Sequence, residues 1–166
     1  MKRFLILTAV IALMFQSVAL GSEPILQTLV GTWQGSGEVR GMPSEQTMVW
    51  TPALGGQFFR LEFDNQMHAG EGQVYRFQAH AYYRPSPEGE IVGNWFDSRG
   101  VIFSLSGSQT ACTLSIEWGS PDTETGRTRY HLAGNKLEVT DEVLGAEGEW
   151  RIFGQSVLER VELANE

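Results

Sequence analysis

The chain has 166 residues, of which 42% are apolar and 19% are charged, and its formal net charge is −8. This acidic balance repels phosphate backbones, so we expect no nucleic-acid partner. The single cysteine, Cys112, excludes an internal disulfide bond and a cysteine-based zinc site. Because it lies in the apolar stretch ACTLSIEW, we expect its side chain to be buried.

Residues 1–21 are predicted to be a secretory signal peptide. Lys2 and Arg3 precede the apolar run FLILTAVIALMF, and small residues follow it before position 22. The run is shorter than the roughly 20 residues that span a bilayer, so we expect no stable membrane insertion. Without Lys2 and Arg3, 10 basic residues face 20 acidic ones in the rest of the chain. The sequence therefore predicts an exported acidic domain, either periplasmic or secreted.

Residues 22–166 are predicted to form a single all-β domain. A short helix over SEPILQTL comes first, with Ser22 or Glu23 as its cap and Pro24 in its first turn. Runs of β-prone residues then alternate with clusters of Gly, Pro, Asn and Asp. We place the strands at about 31–39, 46–53, 57–64, 72–84, 90–96, 100–107, 112–118, 126–132, 136–143 and 149–162. About ten short strands with hairpin-like links predict an antiparallel up-and-down β-barrel.

Side-chain alternation divides each strand into two faces without saying which one points inward. In VYRFQAHAYY, the apolar set from Tyr75 to Tyr83 alternates with a polar set from Arg76 to Tyr82. If the apolar set points inward, the barrel has a packed core or an apolar lumen. If the polar set points inward, the lumen can orient a polar ligand. The residues predicted to bind a ligand are Arg76, His80, Tyr82, Trp95 and Arg129.

The segment LVGTWQGSGE, which follows the short helix, resembles the Gly-X-Trp first strand of lipocalins and other calycins. In that superfamily the Trp packs across the closed end of the barrel, beneath an Arg near the last strand. The resemblance gives these structural roles to Trp33 and Arg160, with Arg151 as a second candidate for the Arg. A guanidinium stacked on an indole is a favourable contact.

Three further segments extend the resemblance over most of the chain after residue 21: ALGGQFFRLEF, YYRPSPEGEIVGNWFDSRG and GQSVLERVEL. Together with the first segment they resemble a lipocalin-like group of small bacterial proteins of unknown function. That group is distantly similar to the ten-stranded nitrobindins. The resemblance implies a β-barrel with a cavity, and it implies no established activity.

Cofactor binding is the sharpest question that the resemblance raises. Nitrobindins hold haem through one His, and the candidates here are His131, then His80 and His68. The neighbours of His131 do not reproduce a nitrobindin ligand segment, so we expect no cofactor and keep haem on His131 as an alternative. The histidines lie far apart in the sequence, which predicts no metal site.

The sequence favours a monomeric or homodimeric protein that binds a small apolar or amphipathic molecule in the barrel cavity. One alternative is a calycin-type isomerase or hydratase in which Glu62, His80 or Arg129 converge in the lumen. Outward-facing side chains would rule that alternative out. A further alternative is a barrel that binds a protein partner through its rim or an exposed strand edge.

Overall fold

The computed structural model describes residues 23–120 and 122–162, so the predicted signal peptide lies outside the described residues. Within these ranges, no helix has the length and apolar character needed to cross a membrane. The chain forms one helix, two single 3-10 turns and ten strands: α1 Ile25–Leu29, β1 Gly31–Val39, β2 Met42–Ala53, η1 Leu54–Gly56, β3 Phe58–His68, η2 Gly70–Gly72, β4 Val74–Pro85, β5 Glu90–Asp97, β6 Ile102–Gln109, β7 Thr113–Gly119, β8 Thr125–Ala133, β9 Lys136–Leu144 and β10 Trp150–Arg160.

The ten strands close into one antiparallel barrel, which confirms the predicted fold. Consecutive strands pair along the chain, and β1 pairs with β10 to complete the circle. This last pairing sets Trp33 opposite Arg160 and Val39 opposite Gly154. Every described strand therefore has a hydrogen-bonded neighbour on each side, and closure of this kind removes the exposed edges of an open sheet.

The apolar face of the strands points into the barrel. On β4, Ala81 and Tyr83 are buried at 0% and 1% exposure, whereas Arg76 and His80 are exposed. The same parity holds on β8, where Tyr130 is buried and Arg129 is exposed. Because successive side chains point to opposite faces of a strand, one buried residue shows which face of that strand points inward. Burial of apolar area thus decides which of the two faces is inward, which the alternation left open.

The helix α1 and Trp33 close one end of the barrel. Ile25, Leu26 and Leu29 are fully buried beneath the strands' lower rim. The backbone N–H of Ile25 donates to the carbonyl of Thr110 at 2.8 Å, and Trp33 Nε1 donates to the carbonyl of Leu29 at 2.8 Å. These bonds hold the short helix across the barrel end, so its stability comes from packing and not from its length.

Arg160 covers Trp33 from the last strand. Its guanidinium carbon lies 4.5 Å from the centroid of the Trp33 ring. The same guanidinium donates hydrogen bonds to the carbonyl oxygens of Val30, which follows the helix, and of Thr28, which lies in its last turn. Arg160 therefore joins β10, β1 and α1 at the closed end. Arg151 lies at the opposite end, beside Glu149.

Two local predictions are wrong. Pro24 is itself the N-cap of α1, with ψ of 143°, and makes no side-chain cap hydrogen bond, whereas Gln109 Oε1 accepts from the backbone N–H of Leu26 at 3.3 Å. Cys112 is exposed, because β7 begins only at Thr113 and the cysteine lies in the turn that precedes it. The apolar stretch around Cys112 is thus only partly strand.

Candidate ligand cavity

The open half of the barrel contains a cavity of about 720 Å³. Its mouth lies at the end opposite α1, where Arg40, Arg99, Glu124 and Arg151 line it. This size is typical of sites that enclose a small organic molecule. The closed half contains no comparable space among the described residues, because Trp50 packs there at 0% exposure against buried neighbours.

One side of the cavity is an aromatic wall formed by Phe63, Phe77, Trp95, Phe103 and Trp118. The rings of the first three contact one another, with centroids 6.2–6.3 Å apart. Phe103 stacks on Trp118 with a centroid distance of 5.4 Å. The wall crosses five consecutive strands, β3 to β7, and its area and quadrupoles suit a flat ring system.

From β3 round to β8 through β2, β10 and β9, the inward positions carry a polar arc, which we define as Asn65, Gln46, Ser156, Asp141 and Thr128; all but the buried Ser156 line the cavity. These residues lie on β3, β2, β10, β9 and β8, and only β1 interrupts the series. The interruption is bridged, since the Ser156 hydroxyl donates to Gln46 Oε1 at 2.9 Å. The cavity is therefore amphipathic, with an aromatic wall and a polar arc around one axis.

Asp141 is the ionisable group of the polar arc. Its Oδ1 accepts a 2.6 Å hydrogen bond from Thr128 Oγ1, which in turn accepts one of 3.1 Å from Trp118 Nε1. Burial raises the pKa of Asp141 to about 6, and the bond from Thr128 offsets this only in part. The carboxyl group consequently changes its charge close to neutral pH, inside the cavity.

Asn65 lines the cavity and has an unpaired amide oxygen. The residue is 3% exposed, and its Oδ1 has no hydrogen-bond partner among the described residues. Its register neighbour Gln46 is different, because that amide is already bonded to Ser44 and Ser156. An unpaired buried polar group costs about 1–3 kcal/mol. A ligand that pairs with Asn65 would recover that cost.

Arg99 links two loops at the mouth. It donates to the carboxylate of Asp97 at 2.8 Å and to that of Glu124 at 3.2 Å. Its guanidinium also lies 5.5 Å from the ring centroid of Phe77. Burial raises the pKa of Asp97, but hydrogen bonds from Arg99 and from Trp95 outweigh it and hold that pKa below its ordinary value. Arg99 thus fixes the rim beside the aromatic wall.

Of the five residues predicted to bind a ligand, Trp95 lines the cavity and the other four do not. The prediction that these four line the lumen is wrong, because each alternates along its strand with residues that are buried or line the cavity, and so faces outward: Arg76, His80, Tyr82 and Arg129. On the outer face Arg76 forms an ion pair with Asp64 at 2.5 Å.

The residues proposed for acid–base chemistry also lie outside the lumen. Glu62 is the register partner of His80 on the outer face and forms an ion pair with Arg60 at 2.6 Å. The convergence that an isomerase or hydratase built on Glu62, His80 and Arg129 requires is therefore not found.

The structure also places the histidines outside the cavity. His131 lies on the outer face of β8, with Nδ1 3.2 Å from Thr113 Oγ1. His68 and His80, both within the described residues, do not line the cavity either. The residues present do not fit a haem held by His131 in the lumen. Over residues 23–120 and 122–162, no group of three His, Cys, Asp or Glu side chains is arranged to hold a metal ion.

Sequence reasoning missed Asp141, Asn65 and Gln46. A signal for the first was present in KLEVTDEVL, where Leu137, Val139 and Val143 form the apolar face and Asp141 interrupts it. A polar residue at an apolar position of the alternation marks either a break in the strand or a functional group in the core. Here the strand continues unbroken, so the functional alternative applies.

Several solved structures share the fold of this chain. Rv2717c from M. tuberculosis is 19% identical, with a TM-score of 0.59 over 84% of this chain and 99% of that chain. The S-type phycobiliprotein lyase CPES from Guillardia theta is 9% identical, with a TM-score of 0.57 over 84% and 92%. The chain EF1p2_mFAP2b bound to DFHBI is 13% identical, with a TM-score of 0.47 over 81% and 95%.

The first two structures, with TM-scores above 0.5, share the antiparallel barrel fold of this chain. No protein-family model and no curated protein matches the chain. At these identities the solved structures establish a shared architecture only, since one barrel fold hosts many functions.

Proposed function

We propose that this protein binds a small, flat, amphipathic organic molecule inside the barrel. The cavity of about 720 Å³, with its aromatic wall and its polar arc, is the observation that carries the proposal. Binding sites for small molecules combine apolar and aromatic walls with a few placed polar groups. A cavity that the barrel frame already shapes also lowers the ordering cost of binding.

The contrast between the two halves of the barrel supports this function. In the closed half, the Trp50 ring packs against Tyr83 and Tyr130, with centroid distances of 5.3 and 5.6 Å. In the open half, side chains of similar size leave the axis clear. A barrel under selection for stability alone gains dispersion energy by filling such space. A binding function explains why the cavity is kept although the protein forgoes this dispersion energy.

The proposal is for a binding protein, and it rests on this chain's own residues. The fold by itself leaves chemistry open, because one protein of the same architecture is named a phycobiliprotein lyase. In this chain the acid–base candidates Glu62, His80 and Arg129 face away from the cavity. A protein-binding role for the barrel exterior stays a prediction.

Fluorescence titration with N-phenyl-1-naphthylamine tests the proposal, because this neutral probe brightens in apolar surroundings. Leu105 lines the cavity on β6 and is 4% exposed, while the next residue, Ser106, faces outward. Leu105→Trp inserts a large side chain into the cavity and should weaken probe binding about tenfold or more. Ser106→Trp adds the same side chain outside and should bind as the parent does.

Both variants must keep the parent's near-ultraviolet circular dichroism, which reports the packed aromatic core. Equal probe affinity in the parent, Leu105→Trp and Ser106→Trp would contradict the proposal, since the signal would then come from the outer surface. Weaker binding in Leu105→Trp alone supports it.

We further propose that the protein acts after export and removal of residues 1–21, as a monomer or a homodimer. Intact-mass measurement of the protein recovered from its host tests the first part. A chain that begins near Ser22, found outside the cytoplasm, supports export, and a cytoplasmic chain that retains Met1 contradicts it. Haem titration tests the proposed lack of a cofactor and the distant nitrobindin relationship, and we expect no shifted Soret band.

A further inference from the structure

We infer that the ligand carries a cationic nitrogen group with N–H donors, which binds Asp141 while its flat ring system lies on the aromatic wall. This inference rests on the proposed binding function and specifies the chemical class of the ligand. Aromatic amidines and amines are members of that class. The inference depends on three features of the polar arc: the free carboxylate oxygen of Asp141, the second acceptor at Asn65 and the absence of a countercharge near Asp141.

The first feature is the unoccupied acceptor capacity of Asp141. Oδ1 accepts the hydrogen bond from Thr128, and no described residue donates to Oδ2. A bulge between Ile152 and Gly154 on β10 places the glycine opposite Asp141. A Cβ at position 154 would lie 3.0 Å from Oδ2, so the glycine leaves that oxygen uncovered. An ionised carboxylate only accepts hydrogen bonds, which requires a donor on the ligand.

The second feature is the independent acceptor at Asn65. Its unpaired Oδ1 belongs to a residue that is 3% exposed and lines the same cavity. Gln46 stands between Asn65 and Ser156 in the polar arc, and its own Oε1 is already taken. The arc therefore has a second acceptor, on β3, that lacks a donor partner among the described residues. Acceptors outnumber donors in the arc, which favours a ligand with N–H groups.

The third feature is the charge around Asp141. From β8 it faces Thr128 and Tyr130, from β10 it faces Gly154, and Tyr83 on β4 also senses its charge. Burial raises the pKa of both tyrosines, so their hydroxyl groups stay neutral. No described Lys, Arg or His pairs with the Asp141 carboxylate. Asp141 is partly buried, and a partly desolvated carboxylate without a countercharge gains from a cationic partner.

The charged groups that lie nearby are already engaged or lie at the mouth. Arg127, on the neighbouring strand, points outward and bonds to Glu142 at 2.6 Å. At the mouth, Arg99 pairs with two carboxylates and Arg151 pairs with Glu149 at 3.3 Å. Arg40 lies 5.9 Å from the Phe153 ring centroid, at the rim. The arginines at the rim therefore do not neutralise Asp141 inside the cavity.

Calorimetric titration with three probes that share one ring system tests the inference. The probes are 2-naphthamidine, a cation, 2-naphthamide, which is neutral, and 2-naphthoate, an anion. At about pH 7.5 the amidine should bind about tenfold tighter than the amide, since charge-assisted hydrogen bonds are the stronger kind. The naphthoate should bind most weakly, because it meets the like charge of Asp141.

Two adjacent substitutions provide a matched pair. Asp141→Asn keeps the shape and should abolish the preference for the amidine, so that amidine and amide bind alike. Glu142→Gln neutralises the next carboxylate, which faces outward, and should leave the preference intact. Both variants should keep the parent's near-ultraviolet circular dichroism, which shows that the packed barrel is preserved. Glu142→Gln should also bind N-phenyl-1-naphthylamine as the parent does.

The pH dependence gives a second readout. The amidinium keeps its charge between pH 5 and 8, so any change in its affinity reports the protein. As Asp141 protonates, amidine affinity should fall roughly tenfold from about pH 7.5 to about pH 5. N-phenyl-1-naphthylamine should show no such fall.

The failures of the two proposals differ. If N-phenyl-1-naphthylamine binds in the cavity but the three naphthalene probes bind equally, the inference is overturned and the binding function stands. A preference for the amidine that survives in Asp141→Asn also overturns the inference. If none of the four probes binds, the binding function itself is contradicted.

Discussion

Ser156 on β10 donates a 2.9 Å hydrogen bond to Gln46 on β2, although β1 lies between these two strands. The contact is possible because β1 contributes Gly35 and Gly37 at its inward positions between Trp33 and Val39. Without side chains there, the polar groups of the flanking strands reach each other over the backbone of β1. The polar arc of the cavity thus depends on glycines that carry no chemistry of their own.

Replacing Gly37 by Ala should destabilise the protein. A Cβ at this position would lie 2.6 Å from Ser156 Cβ and would also meet the backbone of β10, which cannot move aside without loss of pairing. We expect a loss of about 1–3 kcal/mol in the free energy of unfolding, measured with urea. Ser36→Ala, at the next and exposed position, should change it little, and equal stability of the two variants would contradict the packing described for β1.

Asp141→Asn should make the protein more stable at neutral pH. The folded-state pKa of Asp141, about 6, is raised above its unfolded value by burial, so Asp141 stabilises the fold only while it is protonated. That contribution is complete below about pH 4 and is lost as the pH rises through 6. The variant should therefore gain about 1–3 kcal/mol at pH 7.5, and the gain should vanish toward pH 4.

Glu142→Gln should show the opposite sign. A hydrogen bond from Arg127 holds the pKa of Glu142 below its ordinary value, so its contribution is present near neutral pH and is lost as the pH falls. The variant should lose less than about 1 kcal/mol at pH 7.5, because the pair is partly solvated, and nothing in acid. Urea unfolding of both variants against pH, each as a difference from the parent, checks the two signs. Parallel curves would show that Asp141 and Glu142 do not differ in environment.

Arg160→Met should loosen the closed end of the barrel. The guanidinium stacks on Trp33 and donates to the carbonyls of Val30 and Thr28, so its removal leaves two carbonyl acceptors without these donors. We expect a loss of about 1–3 kcal/mol in unfolding free energy, together with faster hydrogen exchange of the α1 amides. Arg160→Lys should recover only part of this, since an ammonium lacks the planar fork. Full recovery by Lys would mean that charge alone holds the end.

Arg99→Met should speed ligand exchange at the mouth. Arg99 joins the β5–β6 turn to the β7–β8 loop through Asp97 and Glu124, and it lies outside the polar arc. Stopped-flow mixing with N-phenyl-1-naphthylamine should show higher association and dissociation rates, with a smaller change in their ratio. Arg84→Met, on the exposed face of β4, serves as the control. Unchanged rates in Arg99→Met would show that the rim does not gate the cavity.

The strand order of the barrel could be predicted from the sequence because its signals are local. Alternation and turn residues marked all ten strands, and the largest boundary errors, of four residues each, concerned the start of β2, predicted at 46 and observed at Met42, and the end of β3, predicted at 64 and observed at His68. The cause of the error in β2 is the two-residue turn at Arg40 and Gly41, with φ of 52° and 76°. Such hairpin turns usually contain Asn-Gly or Asp-Gly, and Arg-Gly does not carry that signal.

The candidate site was largely not predictable, for a different physical reason. Arg76, His80 and Tyr82 have the chemistry of ligand-binding residues, but the register that buries Ala79, Ala81 and Tyr83 turns them outward. Charged and polar residues, which bind ligands, are also the residues that cover the solvent-exposed face of a strand. The sequence of a strand therefore cannot distinguish ligand-binding side chains from solvent-exposed ones, whereas the burial of one neighbouring residue can.

The sequence by itself determined the all-β class, the number of strands and the two faces of each strand, since turn chemistry and a period of two act over a few residues. Only the tertiary structure decided which face is inward, and that Asp141 on β9 shares one cavity with Asn65 on β3. Those decisions depend on closure of β1 against β10. Closure places Asn65 and Asp141 in one cavity although they are 76 positions apart in the chain, and a pattern of a few residues cannot predict such a long-range relationship.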